Sequence, residues 1–482
     1  MLSLNSSKIN ELFWAISKPV YCFQGGFVKD FFRLKRIKFI DNISGLQLYQ
    51  LMKPVIFLIV SIVITKSRLS LEDIGQWEMF MFISSLLTFF WVTGIIQSLL
   101  PLYHRNKTYR KVGDNGVSKS PELFNAFLLL CLFSLLLFIL GHSVKGYFSV
   151  FHNRGNVPFI NLLLLYILFN SPVQLIEYIY LLNNRAYRIF QYGLYTFTAQ
   201  LIFIITPLLL GKDIIWSIYG LLLITGFRWI WLIILLRRYT VIKVSVEFIK
   251  EHLYVGLPLI ITTLISGSAQ YTDGIIISVI YKDPAMFAWF RYGAKEFPLV
   301  LMLANGLSSA MLSEFSTREK MKQSLEILRV KSLRLMHILF PTTMFMMLIA
   351  KWIYPVMFRP EFHKSSGIFL IYSLLIIPRL VFPQTIITGR KNTHIMLIAA
   401  IIEIAVNIPL SLFMIKLGYK MQGVALSTFI AYMVSNLFMV LYVWVKMNIK
   451  PAEYIPLKIY AFYSFLVGIL FVLIDHSIID IH

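Results

Sequence analysis

Charged side chains inside long apolar stretches are the first candidates for chemistry in this sequence. Five basic residues lie in such stretches: Lys53, Arg228, Arg291, Lys295 and Arg379. A charge at the centre of a membrane-spanning helix costs at least about 2.5–3.5 kcal/mol, so it persists only beside a partner or an aqueous cavity. The planar guanidinium of Arg pairs with two phosphate oxygens at once. The basic residues therefore predict a site for an anionic group.

Arg291 and Lys295 are the leading pair, because they are four residues apart and would share one face of a helix. Glu296 adjoins them, and Arg379 directly follows a proline that would free backbone groups toward a cavity. We expect Arg291, Lys295 and Arg379 to contact the anionic headgroup of a substrate. The alternatives are that these side chains snorkel to the membrane surface, or that Lys295 is buried against Glu296 or Asp273.

The other ionisable residues in apolar stretches have weaker assignments. Lys53 and Arg228 lie nearer the ends of their stretches, where snorkelling is favoured, so we treat them as secondary cavity cations. Three carboxylates, Glu177, Asp273 and Glu403, also lie within apolar stretches, and such groups can carry protons or Na⁺ in transporters. We expect Asp273 either to couple transport to an ion or to hold a basic residue in place.

The elements that carry these residues are predicted to be transmembrane helices. The chain has 482 residues, of which 58% are hydrophobic and 14% are charged, whereas soluble domains have about 25% charged residues. Apolar runs of the length needed to cross a bilayer recur along it. Twelve spans are predicted at 45–65, 77–103, 121–141, 158–182, 190–210, 213–236, 251–280, 285–310, 332–356, 366–388, 395–416 and 420–445, with a thirteenth candidate at 456–475. The predicted fold class is therefore an all-α polytopic membrane protein.

The distribution of Lys and Arg predicts the orientation of these spans. The N-terminus and the loops at 104–120, 237–250 and 311–330 are basic, and the loops between them are poorer in basic residues. Basic loops stay in the cytoplasm, so we expect a cytoplasmic N-terminus. Residues 1–44 are predicted to form a basic amphipathic segment whose 27–40 stretch lies on the inner leaflet as a helix; the alternative is a disordered basic tail.

The two halves of the chain resemble each other weakly. Pro172 and Pro378 occupy the fourth and tenth spans (378 − 172 = 206), and Pro54 and Pro258 occupy the first and seventh (258 − 54 = 204). With six spans per half, both copies have the same orientation, which indicates a parallel duplication. The predicted divisions are an N-lobe over 45–236, a linker over 237–250, a C-lobe over 251–446 and a C-terminal extension over 447–482.

Several functional classes are disfavoured by the sequence. The net charge of +22 is explained by cytoplasmic loops that face anionic phospholipids, so no nucleic-acid partner is expected. There is no Gly-rich phosphate loop, nucleophile elbow or His/Cys metal spacing, so we expect no cofactor and no bound metal. The predicted outer loops are short and have no paired carboxylates, which argues against a membrane glycosyltransferase or polymerase. The chain is therefore not expected to be an enzyme.

Two stretches resemble a known family. Residues 251–280, EHLYVGLPLIITTLISGSAQYTDGIIISVI, resemble the first helix of the second lobe of bacterial polysaccharide flippases. Residues 386–446, with a basic loop, an Asn-Pro-containing helix and the return GY…GVALST, are similar to Wzx-type O-antigen transporters of the multidrug/oligosaccharidyl-lipid/polysaccharide (MOP) exporter superfamily. The resemblance covers about residues 41–446 and is more specific for the superfamily than for the substrate.

The resemblance implies two six-helix lobes around a central cavity in the bacterial cytoplasmic (inner) membrane. It implies alternating access that moves an undecaprenyl-pyrophosphate-linked oligosaccharide, such as an O-antigen repeat unit of lipopolysaccharide, between leaflets. Expected partners are this lipid-linked substrate, anionic phospholipids and a coupling proton or Na⁺. A monomer associated with polysaccharide assembly machinery is expected. The alternative within the superfamily is a cation or drug antiporter, although buried charges that are mainly basic favour an anionic substrate.

Overall fold

The described part of the chain is almost entirely helical. The structure is a computed structural model that describes residues 42–105, 111–112, 118–144, 157–312, 314–316 and 321–475. The segment 1–41, including the helix predicted over 27–40, lies outside these residues. The exception to helix is a hairpin of two short antiparallel strands, β1 (Lys111–Val112) and β2 (Ser118–Lys119).

Seven helices form the described part of the first half of the chain. They are α1 (Asn42–Lys66), α2 (Leu71–Arg105), α3 (Pro121–Val144), α4 (Ile160–Val173), α5 (Leu175–Leu182), α6 (Ala186–Leu209) and α7 (Ile214–Tyr239). The fourth predicted span is formed by α4 and α5 together, which meet at Gln174.

Eleven further helices lie between residues 246 and 475 in the part of the chain that the structure describes. They are α8 (Val246–Tyr281), α9 (Pro284–Gly293), α10 (Pro298–Met311), α11 (Met321–Met357), α12 (His363–Ser373), α13 (Ile376–Arg379), α14 (Pro383–Gly389), α15 (Thr393–Lys416), α16 (Lys420–Met447), α17 (Pro451–Tyr454) and α18 (Leu457–Asp475). Two 3₁₀ turns, Glu314–Ser316 and Pro360–Phe362, precede α11 and α12.

The helices confirm a multi-pass membrane protein. Ten described helices are long and apolar enough to cross a bilayer, and the bent pair Pro360–Arg379 and Pro383–Gly389 raises the number to eleven. The uncertain stretch at 456–475 forms α18, a 19-residue helix that meets the same test of length and composition. The all-α prediction is therefore confirmed.

Backbone conformation supports the duplication and corrects its register. Asn184 and Gly211 have positive φ angles, and so do Lys391 and Gly418 (391 − 184 = 418 − 211 = 207). These four turns follow the fourth, fifth, tenth and eleventh predicted spans, respectively. The structural repeat is thus 207 residues, slightly longer than the 204–206 that matching residue types suggest.

The broken fourth and tenth spans each accept a hydrogen bond from the sixth span of their own half, from donors at equivalent positions. The Trp229 side chain donates to the carbonyl of Phe169 at 2.7 Å, and the Asn436 side chain donates to the carbonyl of Pro378 at 3.0 Å. Trp229 and Asn436 are again 207 residues apart. Each half therefore uses its sixth span to satisfy a backbone group near the break in its fourth, as buried polar groups require.

The two halves meet where α2 packs antiparallel to α8. Glycines allow the close approach: a Cβ at Gly94 would lie 2.4 Å from Ile260, one at Gly267 would lie 2.4 Å from Phe89, and one at Gly274 would lie 2.5 Å from Phe82. Small residues that let helix backbones approach are typical of packing within membranes.

The end of the molecule at which α1 ends is here named the distal face, and the opposite end the proximal face. At the distal face Arg359 donates to the carbonyl of Leu69 at 2.9 Å and reaches that of Ser67 at 3.5 Å. Gly75 also lies so close to Pro284 that a Cβ would be 1.9 Å from its carbonyl oxygen. These contacts hold the two halves together at the distal face.

Candidate functional site

The eighth predicted span is broken at the residues singled out for chemistry. Helix α9 ends at Gly293 and α10 begins at Pro298, which leaves Ala294–Phe297 outside both helices. Proline removes a backbone donor and disfavours helix at the residue before it, and Phe297 accordingly has ψ 118°. The expectation that Arg291 and Lys295 share one helical face is therefore wrong, because Lys295 lies in the break.

Arg291 is placed at the boundary between the two halves. Its Nε lies 4.0 Å from Glu78 on α2, and its guanidinium lies 5.3 Å from the centre of the Phe82 ring. The Nε atom is buried and has no hydrogen-bond partner. Arg291 thus has a counter-ion at long range and keeps unused donor capacity.

Lys295 is exposed in the middle of a predicted span. Its ammonium lies 4.8 Å from the centre of the Tyr292 ring, and it forms no ion pair with any other described side chain. Tyr292 itself is fixed, since its hydroxyl lies 3.3 Å from the carbonyl of Ser61 and its own carbonyl accepts from Tyr354 at 3.1 Å. Lys295 therefore extends from a backbone that Tyr292 holds in place, and no carboxylate of the described side chains lies within 4.0 Å of its ammonium.

Glu296, the other charged residue of the break, pairs with Arg379. Both Nε and Nη2 of Arg379 donate to the carboxylate, with the Nε contact at 3.1 Å. The Arg379 guanidinium also lies 4.9 Å from the centre of the Tyr432 ring. The side chains of Glu296 and Arg379 are only 16% and 20% exposed, respectively. The structure thus pairs Glu296 with Arg379 rather than with Lys295, and the charge of Arg379 is compensated.

Asp273 accepts hydrogen bonds from three helices. Tyr372 on α12 donates to Oδ2, Asn407 on α15 donates to Oδ1 at 3.0 Å, and Thr428 on α16 donates to Oδ2 at 2.5 Å. Ser411 in turn donates to the amide oxygen of Asn407 at 2.8 Å. The carboxyl group is buried, and none of its hydrogen-bond partners is basic. Two hydroxyl groups and one amide NH₂ group, none of them charged, therefore surround the carboxyl group of Asp273.

The secondary cations belong to a separate polar cluster in the first half. Lys53 pairs with Glu177 at 2.7 Å, and the Tyr49 hydroxyl donates to the same oxygen at 2.7 Å. Arg228 donates to Gln200 at 2.8 Å. Lys53 and Arg228 both have partners within their own half of the molecule.

Sequence reasoning did not identify the partners of these residues. Glu78 lies past the first turn of α2 and could have been noticed as an acidic residue within an apolar stretch. Asn407 precedes Pro409 in the segment that carries the family resemblance, but its contact with Asp273 joins positions 134 residues apart. Among the described residues, no group of three or more His, Cys, Asp or Glu side chains could hold a metal ion.

Solved structures of transporters share this fold. A structure titled lipid II flippase MurJ in an inward closed conformation superposes with a TM-score of 0.68 and 19% identity, covering 91% of this chain and 94% of that one. An inward-facing multidrug resistance MATE family transporter of the MOP superfamily gives a TM-score of 0.58 and 16% identity, covering 85% and 98%. A MOP superfamily transporter from Pyrococcus furiosus gives 0.54 and 15%, covering 85% and 96%.

Sequence comparison identifies the family. No curated protein matches the chain. The family model described as polysaccharide biosynthesis protein matches residues 67–367, which is more than half of the chain and includes Asp273, Arg291 and Lys295. The chain therefore belongs to the polysaccharide biosynthesis protein family and is a multi-pass membrane protein with the two-lobe fold of MOP superfamily transporters.

Proposed function

We propose that this protein moves an undecaprenyl-pyrophosphate-linked oligosaccharide from the inner to the outer leaflet of the bacterial cytoplasmic membrane by alternating access. The proposal rests on a transporter fold, on membership of a polysaccharide biosynthesis family, and above all on Lys295. An exposed ammonium at the break of a membrane-embedded helix, with no carboxylate of the described side chains within 4.0 Å, needs an anion or water.

The local charge balance favours an anionic substrate. Arg291 and Lys295 contribute two positive charges, and Glu78 compensates one of them from 4.0 Å. A pyrophosphate group could pair with the free ammonium of Lys295 and with the unsatisfied donor of Arg291. A cationic drug would meet repulsion at the same place, which makes the antiporter the weaker candidate.

The helix that follows the break supports a passage for sugars. Asn305 and Ser309 are exposed and lie four residues apart on one face of α10, the helix that begins directly after the break. Polar side chains of a membrane helix point toward water or protein rather than lipid. We assign this face of α10 to the cavity between the lobes, where hydroxyl-rich sugars can exchange hydrogen bonds with it.

The other predicted site residues receive different roles in this proposal. Arg379 would reach substrate only by releasing Glu296, so it holds the break in place rather than leading headgroup binding. Lys53 and Arg228 stay secondary cations of the first lobe. Asp273, with Asn407 and Thr428, is the proposed site at which a proton or Na⁺ couples to transport.

Complementation of a strain that lacks its own transporter tests the proposal. Lys295→Ala should reduce surface polysaccharide at least about tenfold, because one charge-assisted hydrogen bond to phosphate is lost. Lys295→Arg should restore it, and Lys331→Ala, which removes an exposed lysine of α11, should have no effect at equal protein level. Full complementation by Lys295→Ala and by Arg291→Ala would refute the assignment of these residues to the headgroup.

A further inference from the structure

A cavity of about 940 Å³ lies within the second half of the molecule, outside the break of the eighth span. It is lined by α11, by the first turns of α12 and α16, and by the last residue of α18. It opens at the distal face, because α11 ends and α12 begins beside Arg359, whose side chain binds the loop after α1. No lining residue belongs to α9 or α10. The proposed transport function does not use this cavity.

The lining of this cavity is basic. It holds three lysines, Lys351, Lys364 and Lys420, against one carboxylate, Asp475. Lys364 and Lys420 are exposed and form no ion pair with another described side chain. The ammonium of Lys364 is positioned 3.9 Å from the centre of the Trp289 ring. Two uncompensated ammonium groups thus point to an anionic occupant.

Backbone groups add to this positive potential. Helix α16 begins at Lys420 without a side-chain cap, and Lys420, Met421 and Gln422 all line the cavity. The amide of Gly423 donates to the carbonyl of Tyr419 at 3.0 Å, so the free amides are those of the residues before it. Unpaired amides at the start of a 28-residue helix attract anions, which reinforces the two lysines.

The duplication does not account for these charges. The repeat of 207 residues places Lys420 at the position of Asp213, which precedes α7 in the first half. In the first lobe this turn carries Lys212 beside Asp213, so its charges balance, whereas Lys420 has no carboxylate beside it in the sequence. A basic cavity at this turn is a property of the second lobe alone.

The apolar part of the lining indicates that the anion is part of a lipid. Trp352 and Val356 on α11 line the cavity and are each 53% exposed. Only 11% of the apolar window of α18 is buried, so this helix presents most of its surface to lipid. We propose that this cavity binds the phosphate of an anionic phospholipid from the leaflet at the distal face, with Lys364 and Lys420 as its ligands and its acyl chains along α11 and α18.

Retention of lipid by the full-length protein tests this site. The protein would be purified from vesicles that contain equal amounts of phosphatidylglycerol and phosphatidylcholine, and bound lipid would be counted by native mass spectrometry. The double variant Lys364→Gln/Lys420→Gln should retain at least about tenfold less phosphatidylglycerol than the parent, because two charge-assisted contacts are lost. The variant Lys364→Arg/Lys420→Arg should restore retention.

Lys212→Gln is the matched control, because Lys212 is exposed on the equivalent turn of the first half. It should retain phosphatidylglycerol as the parent does. The proposal is overturned if the double variant retains as much of this lipid as the parent, if the control loses as much as the double variant, or if phosphatidylcholine is retained equally. Displacement of the lipid by inorganic phosphate at millimolar concentration would identify a soluble-anion site and would also overturn it. Complementation by the double variant is scored separately and concerns only the transport proposal.

Discussion

The pair formed by Glu296 and Arg379 allows a quantitative prediction about whether Arg379 is structural or binds substrate. Both side chains are largely buried, at 16% and 20% exposure, and two hydrogen bonds join them. Removing one partner of a buried ion pair costs about 3–5 kcal/mol, because the other charge is left uncompensated. The partial exposure lowers our expectation for Glu296→Gln to about 2–3 kcal/mol.

A double-mutant cycle separates the pair from its surroundings. The variants are Glu296→Gln, Arg379→Gln and the double variant, and stability is measured by reversible denaturation in mixed micelles. If the residues interact mainly with each other, the double variant is about 1–2 kcal/mol more stable than the sum of the single losses predicts. Because the Arg379 guanidinium also lies 4.9 Å from the centre of the Tyr432 ring, the cycle is repeated in a Tyr432→Phe background, which keeps the ring and removes only the hydroxyl.

The outcome that refutes this reasoning is additivity within about 0.5 kcal/mol. Additivity combined with loss of polysaccharide in Arg379→Lys would instead place Arg379 among the headgroup ligands. A coupled pair with near-normal complementation by Arg379→Lys supports its structural role, because Lys keeps the charge but not the fork of donors.

Three further predictions follow from single contacts. Gly75→Ala should prevent closure at the distal face, because its Cβ would lie 1.9 Å from the carbonyl oxygen of Pro284. In a background without native cysteines, a cysteine that replaces Lys295 should then react faster with a membrane-impermeant thiol reagent added from the distal side. An unchanged labelling rate would contradict this prediction. Asn436→Leu leaves the carbonyl of Pro378 without its donor and should cost about 1–3 kcal/mol of stability in the denaturation assay; a loss under 0.5 kcal/mol would show that the amide is dispensable. Asp273→Asn should leave the protein folded but remove any dependence of transport on Na⁺ or pH in proteoliposomes, whereas retention of the parent's ion dependence would exclude this carboxyl group as the coupling site.

The sequence predicts the positions of the helices well, because apolar runs of bilayer length leave few alternatives in lipid. The sequence also contains signals that predict the break of the eighth span. Gly293 and Pro298 lie on either side of the break, and the residue before a proline disfavours helical conformation. The spacing of four residues between Arg291 and Lys295 predicts a shared face only for a continuous helix, and the break ends the helix between them. Periodicity is informative only while the helix continues.

The pairing of charges could not be read from the sequence. Glu296 is adjacent to Lys295 but pairs with Arg379, 83 residues away, because the break directs the two side chains differently. The donors to Asp273 come from three helices that packing brings together. Such contacts depend on the rotation of each helix about its axis, which composition and hydropathy leave open.

The glycine contacts between α2 and α8 have a mechanical consequence. Phe82 fits against Gly274 and Phe89 against Gly267, so both aromatic rings occupy spaces that only a missing Cβ provides. Sliding one helix by a turn, about 5.4 Å, would move Phe89 away from Gly267 and Phe82 away from Gly274, so both fits would be lost at once. Translation along this contact would therefore lose both fits, whereas rotation of one lobe about the contact would keep each glycine opposite its aromatic ring. We therefore expect the two lobes to open and close by rotation about the contact between α2 and α8 rather than by sliding along it.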